Sequence, residues 1–278
     1  MRVVDTEHLG NRQVIGVWEV DGVLVDPGPE STLETVIGTL GESFEPRAVL
    51  LTHIHFDHAG ASGALVQRFP ELQVYVHEVG APHLADPARL VKSAARLYGE
   101  DQMQRLWGDV VPVPEANLRV LSGGETVLDE FQVQYTPGHA SHHVSYLHEP
   151  TGTAFVGDVA GVRIPPAGLV VAPTPPPDVD VDAWRHSVGL VRGWEPQRLA
   201  LTHFGEVTTD IPGHLDRLLA SLDEEIERTG RLTQEEFVAS QIAALEEQAD
   251  LDTAKTYDQA VPAHHIWLGL DRWRSKQA

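Results

Sequence analysis

The spacing of apolar positions changes period along this chain, and each change marks an element. Residues 13–28, "QVIGVWEVDGVLVDPG", alternate and break at Asp21-Gly22, which predicts two antiparallel strands joined by a type I′ turn. Helical spacing follows in "STLETVIGTL", with Ser31 as the predicted N-cap and Glu34 completing a capping box. Next come a strand "AVLLT", a helix "ASGALVQRF" closed by Pro70, and a strand "LQVYVH". Residues 78–108 read as largely helical, most clearly in "DPARLVKSAARLYG" with Pro87 in the first turn. After residue 118 a strand period returns in "ETVLDEFQVQYT", "HVSYLHE" and "TAFVGD". The stretch 163–182 holds six of the 19 prolines, including "PTPPPD", so it is neither helix nor inner strand but a stiff extended loop.

A short helix from about Asp182 and the strand "RLALTH" complete this region. From Ile211 onward the pattern is helical and charged, in "HLDRLLASLDEEIERTG", "TQEEFVASQIAALEEQ" and "TAKTYDQAVPAHHIWLGLDRW". We therefore expect a domain over 1–210 with mixed strands and helices, and a small helical extension over 211–278. The class is α/β layers with an appendage.

Composition narrows the chemistry. Lys and Arg total 20 against 41 Asp and Glu, a formal net charge of −21. Such a field repels phosphate backbones and anionic lipid, so neither nucleic acid nor a membrane is an expected partner. There is no cysteine, which excludes disulfides, thiolate nucleophiles and Cys-ligated metal. A bound transition metal would then rest on imidazole and carboxylate, a set that suits Zn, Fe, Mn or Ni. "MRVVDTEHLG" lacks an apolar leader and no segment is long enough to span a bilayer, so a cytoplasmic protein is expected. The sequence is silent on oligomeric state.

Four places share one grammar, an apolar strand-like run followed at once by a metal-competent side chain. They are "VLLTHIHFDH", "VQYTPGH", "TAFVGD" and "LALTHFG". The first and last share Leu-Thr-His, as Leu51-Thr52-His53 and Leu201-Thr202-His203. His53 and His55, two apart in an extended segment, can point the same way, whereas Asp57 and His58 lie beyond a turn. One loop thus offers two ligand pairs, and His139, Asp158 and His203 can complete two shells, with Asp158 able to bridge. Crowding three imidazoles and a carboxylate into six positions without a cation is costly. His142 and His143 are candidates to support His139. His8, His77, His83, His148, His186, His214, His264 and His265 read as ordinary hydrogen-bonded residues.

These residues resemble a known family. "THIHFDHAG", "TPGHASHH", "FVGD" and "LTHFG" are similar to the metal motifs of the metallo-β-lactamase superfamily, in the expected order over roughly 10–210. The resemblance implies a four-layer αββα sandwich, two mixed sheets flanked by helices, with the site at one sheet edge. It implies that His53, His55 and His139 hold one ion, that Asp57, His58 and His203 hold a second, and that Asp158 lies between them. Asp26 in "VDPG" matches a supporting aspartate of the family; a turn residue after a strand is the plainer alternative. Lacking cysteine, the ligand set looks like the glyoxalase II, lactonase and nuclease branches rather than the β-lactamases proper.

The expected function is metal-assisted hydrolysis with two divalent ions, zinc first among them. A bridging water whose pKa falls from about 16 toward 7 would attack as hydroxide. Asp57 is the carboxylate placed to orient that nucleophile or carry a proton to the leaving group. Tyr98 and Tyr146 are candidates to support an oxyanion, packing being the simpler role for each. A small carboxylic ester, lactone or thioester is the leading substrate class. A small phosphodiester is the alternative, with no basic patch to favour nucleic acid. A mononuclear-iron persulfide dioxygenase, using only part of the ligand set, is the third reading.

Overall fold

A computed structural model describes residues 1–277, and the chain divides into two compact units, Met1–Glu125 and a second beginning at Thr126. The first unit carries a six-stranded sheet in the order β1 (Arg2–Asp5), β2 (Gly16–Val20), β3 (Val23–Val25), β4 (Ala48–Leu50), β5 (Val74–His77) and β6 (Leu118–Leu121). The first three strands pair antiparallel, and β3 through β6 pair parallel. The predicted hairpin closes at Asp21 and Gly22, whose φ values of 49° and 82° give the double left-handed geometry of a type I′ turn. Strand β4 is buried on both faces, which explains its continuous apolar run.

Six helices accompany this sheet: α1 (Leu33–Leu40), α2 (Phe56–Ala59), α3 (Ser62–Arg68), α4 (Ala81–Ala85), α5 (Ala88–Tyr98) and α6 (Glu100–Trp107). Leu33, Val36, Ile37 and Leu40 of α1 and Leu65 and Val66 of α3 share one core with Val49, Val74 and Val76 of the sheet. The predicted cap of α1 is corrected. The helix begins at Leu33 after a 3₁₀ turn over Glu30–Thr32, and the Ser31 hydroxyl donates to the carbonyl of Leu106 instead of to a helix terminus. Glu34 accepts from Arg68. A partner distant in sequence has replaced the local bond that "STLE" offered.

The second unit carries a sheet in the order β12 (Gly205–Val207), β11 (Arg198–Leu201), β10 (Thr153–Gly157), β9 (Val144–His148), β8 (Phe131–Tyr135) and β7 (Thr126–Val127). All neighbours are antiparallel except β10 and β11. Residues 125–136, read as one strand, are a hairpin, because Leu128 and Asp129 sit at φ 53° and 61° and turn the chain. The proline-rich stretch carries no named strand or helix before a helix begins at Val181, and an isolated bridge joins Val162 to Val171.

Five helices belong to this unit: α7 (Val181–Gly193), α8 (Ile211–Thr229), α9 (Gln234–Gln248), α10 (Leu251–Ala260) and α11 (Ala263–Gln277). Asp180 caps α7 through a bond from Ala183 N–H, and Asp210 caps α8 through Gly213 N–H. Pro262 separates α10 from α11, as a residue without an N–H does. Leu215, Leu218 and Leu222 of α8, Phe237 of α9, Tyr257 of α10 and Ile266 of α11 join one core with Val156 and Leu199 of the sheet. Each such side chain contributes roughly 1.5–3 kcal/mol by leaving water. The C-terminal helices are therefore packed into the second unit's core. No helix among the described residues is long and apolar enough to cross a membrane.

Candidate metal centre

In the first unit the candidate ligands come from one strand end. Strand β4 runs straight into Thr52 and His53, and α2 starts immediately after His55, its N-cap. The extended-to-helical switch after His55 separates the pair His53 and His55 from the pair Asp57 and His58. Ring nitrogens Nε2 of His53 and Nδ1 of His55 are 2.9 Å apart, and the His53 and His58 ring centroids are 3.9 Å apart. Asp57 Oδ2 lies 3.7 Å from His58 Nε2. His53 and His58 are fully buried, while Asp57 keeps 21% of its side chain exposed.

Asp26 organises this cluster. It follows β3, the parallel neighbour of β4, and adopts φ 50°. Thr52 N–H donates to its Oδ1 at 2.7 Å, and both Thr52 Oγ1 (2.7 Å) and His58 Nδ1 (2.8 Å) donate to its Oδ2. Holding His58 through Nδ1 fixes the tautomer and turns Nε2 toward Asp57, the arrangement that carboxylates give to metal-ligating histidines. The supporting role expected of Asp26 is thus the one its hydrogen bonds display. Thr52 joins it, and the repeated Leu-Thr-His was the signal for that threonine in the sequence.

In the second unit three candidate ligands come from three strands. Strands β8 and β10 are both antiparallel to β9, and β11 is parallel to β10, so β8, β10 and β11 all run the same way. His139, Asp158 and His203 follow their C-terminal ends. His139 Nε2 lies 3.3 Å from Asp158 Oδ2, and His203 Nε2 lies 3.5 Å from Asp158 Oδ1. All three are buried. His139 Nδ1 donates to the carbonyl of Pro173 at 2.7 Å, which again leaves Nε2 toward the carboxylate. Gly138 is required before it: at φ 139° a Cβ would stand 2.3 Å from the Cα of Trp184.

Supporting contacts surround Asp158. His143 Nε2 accepts from Asp158 N–H at 3.3 Å, so its Nδ1 carries the proton and donates to Thr136 Oγ1 at 2.9 Å. Trp184 Nε1 donates to Val159 O at 2.8 Å, and His214 Nε2 donates to Ala160 O at 2.9 Å. Burial pushes the His214 imidazole down to about 4, against a smaller opposing effect of the Ala160 bond, so it is neutral near pH 7. His214 reads in the sequence as an ordinary histidine, and Trp184 carries no sequence signal at all. Both touch the turn that bears Asp158. Tyr146 is fully buried in β9, and Tyr98 packs edge-on against Trp107 at 5.1 Å, so each has the packing role.

The donor set fits divalent transition ions. It consists of imidazole nitrogens and carboxylate oxygens, with the His58 and His139 rings anchored at Nδ1 and aimed by Nε2. The comparisons with known proteins agree. The model of the metallo-beta-lactamase superfamily matches residues 20–203. The metallo-beta-lactamase fold-containing protein ST1585 of Sulfurisphaera tokodaii is 31% identical over 201 residues, 64% of this chain and 68% of that one. The crystal structure of the archaeal ST1585 protein superposes with a TM-score of 0.73 at 21% identity, covering 99% of this chain and 98% of that one, which bears on the fold. The structure of TTHA1623 in a di-iron-bound form gives 0.55 at 30% identity, covering 70% and 89%. A hydroxyacylglutathione hydrolase of Thermosynechococcus vestitus is 30% identical over 49% of this chain, which spans only 42% of that enzyme. With the family model spanning both regions that carry candidate ligands, this chain belongs to the metallo-beta-lactamase superfamily and is a metal-dependent hydrolase of it.

Proposed function

We propose that this hydrolase works with two divalent ions and acts on a small carboxylic ester, lactone or thioester. In this reading His53, His55 and His139 hold one ion, Asp57, His58 and His203 hold the other, and Asp158 lies between them. One observation carries it: the two oxygens of Asp158 face two different imidazoles, at 3.3 Å and 3.5 Å, the disposition a carboxylate needs to serve two cations. Zinc is the proposed metal and iron the next candidate, the latter because the similar TTHA1623 was seen with two irons. Such ions supply Lewis acidity and a water that ionises near neutral pH.

The chain's own residues aim and protect that chemistry. Asp26 and the Pro173 carbonyl hold His58 and His139 so that each presents Nε2. Asp57, with part of its carboxylate open to solvent, orients the attacking water and carries a proton to the leaving group. The similarity to hydroxyacylglutathione hydrolases supports an acyl group as the target, over the two fifths of those enzymes that the chain spans. The net charge of −21 weighs against a polyanionic substrate. A cytoplasmic setting belongs to the same proposal.

The test is metal analysis of the purified protein followed by a panel of chromogenic esters, lactones, S-acyl thiols and phosphodiesters. Two ions per chain, and acyl turnover that His53→Ala or Asp158→Ala abolishes, are expected. Turnover of the phosphodiester alone, lost in the same variants, would move the substrate class. One iron per chain with oxygen uptake on a persulfide would replace hydrolysis altogether.

A further inference from the structure

All three candidate ligands of the second unit meet one irregular strap, residues 158–174. Asp158 is its first residue. Arg163 N–H donates to the carbonyl of His203 at 2.6 Å, and Phe204 N–H donates back to the Arg163 carbonyl at 3.3 Å. Near the other end the Pro173 carbonyl accepts from His139. A shift of this strap would move every ligand that the second unit offers.

The strap has little regular structure of its own, and the C-terminal helices hold it at three points. His214 of α8 donates to the Ala160 carbonyl. Tyr257 of α10 accepts from Ile164 N–H at 2.9 Å and donates to the Leu169 carbonyl at 2.7 Å, so one hydroxyl pins both sides of a bend. Thr174 Oγ1 donates to the Ile266 carbonyl of α11 at 3.3 Å, and Gly269 lies so close that a Cβ there would stand 1.8 Å from Thr174 O.

Both His214 and Tyr257 are fully buried, and an apolar side chain of similar size would fill either place with less desolvation. What the polar atoms add is a bond to a fixed point of the strap.

We propose that the C-terminal helices act as a brace for metal binding, with His214 and Tyr257 as positioning residues for His139, Asp158 and His203. This rests on the two-ion reading above. It gives the helical extension a task in the site that its sequence does not announce.

The experiment uses the full chain as parent, His214→Phe, His214→Gln and Tyr257→Phe, each stripped of metal by a chelator. Zinc affinity is measured by competition with a chromophoric chelator, and the visible spectrum is recorded with cobalt. His214→Phe and Tyr257→Phe should weaken the looser zinc step by about tenfold, the lower end of what removing a ligand's direct hydrogen-bond partner does, because both act through the strap. Their cobalt bands should shift, and His214→Gln, which keeps an N–H donor, should recover much of the affinity. Parent affinity and an unchanged cobalt spectrum in both donor-less variants would overturn the brace, whatever happens to their melting temperatures. Tyr257→Phe removes a single oxygen and decides the matter alone if His214→Phe does not fold. A parent that binds neither zinc nor cobalt would instead overturn the two-ion reading, and the brace with it.

Discussion

The two regions that bear the candidate ligands are built on different principles. The first packs His53, His55, Asp57 and His58 into six consecutive positions and organises them with one carboxylate from the neighbouring strand. The second takes His139, Asp158 and His203 from three strand ends and relies on the 158–174 strap to keep them in register. A local cluster depends on a strand, a short turn and Asp26. A dispersed one depends on packing that reaches to the end of the chain. Sensitivity to remote substitutions should therefore be confined to the second region.

The largest effect should come from removing a ligand on either side. His53→Ala and Asp158→Ala should each lower kcat/KM by about a thousandfold or more, the several kcal/mol that a metal ion contributes to a hydrolytic transition state. Steady-state kinetics with the preferred acyl substrate check this. Equal losses would show that both regions serve one reaction. A loss from one side only would break the two-ion picture at the other.

How much of this was legible follows from the same contrast. The His53–His58 cluster is visible in the sequence because its four side chains fall within six positions, whereas Asp26, which binds Thr52 and His58, lies 26 and 32 residues away. The three strand-end candidates are visible as an apolar run and then a ligand type, although nothing in the sequence says which strands lie together. Strands β1 and β12, four and three residues long, are too short to set up a period. The Ser31 cap failed because Leu106, far along the chain, offered its carbonyl to that hydroxyl. The role of His214 is silent in the sequence because its partner, Ala160, is 54 residues away.

Two buried groups of the second region, both on α8, respond to pH in opposite windows. Glu225 of α8 is buried, and desolvation pushes its carboxyl up to about 8, against lowering by Ser221, Arg228 and the backbone at Ala172 and a small raising by Glu224. A carboxyl raised from 4.5 in this way gives stability that is full below about 4.5 and is lost as pH rises toward 8. His214 works in the opposite window: lowered from 6.5 to about 4, it leaves stability full above 6.5 and takes it away as pH falls toward 4. Glu225→Gln removes the first dependence alone. Its unfolding free energy relative to the metal-free parent, measured by denaturant titration, should climb between pH 4.5 and 8 and then level off, by an amount on the order of a few kcal/mol at most. A flat difference across that range would mean that Glu225 ionises in place without cost.

Asp26→Ala is the matching test on the local side. It leaves the Thr52 N–H and the His58 Nδ1–H buried without their acceptor and releases the His58 tautomer. Metal affinity should fall by roughly 10–100-fold. Chelator competition measures it, and Asp26→Asn, which keeps one oxygen acceptor, should fall between the two. Parent affinity in Asp26→Ala would mean that the loop holds its own geometry, making the local region more self-sufficient than its hydrogen bonds indicate.

The smallest effect is the most discriminating for the brace. Thr233 caps α9 in a full capping box: its hydroxyl accepts from Glu236 N–H at 3.3 Å, and the Glu236 carboxylate accepts from Thr233 N–H at 2.9 Å. Thr233→Ala should cost about 1 kcal/mol, as lost caps do, and lower the melting temperature by roughly 2–4 °C. No strap contact given above passes through this cap; His214, Tyr257 and Ile266 lie on α8, α10 and α11. Zinc affinity, the cobalt spectrum and turnover should therefore stay at the parent's values while stability drops. If Thr233→Ala weakened zinc as much as Tyr257→Phe does, any loosening of the C-terminal helices would suffice, and the two strap-directed side chains would have no special part in holding the ligands.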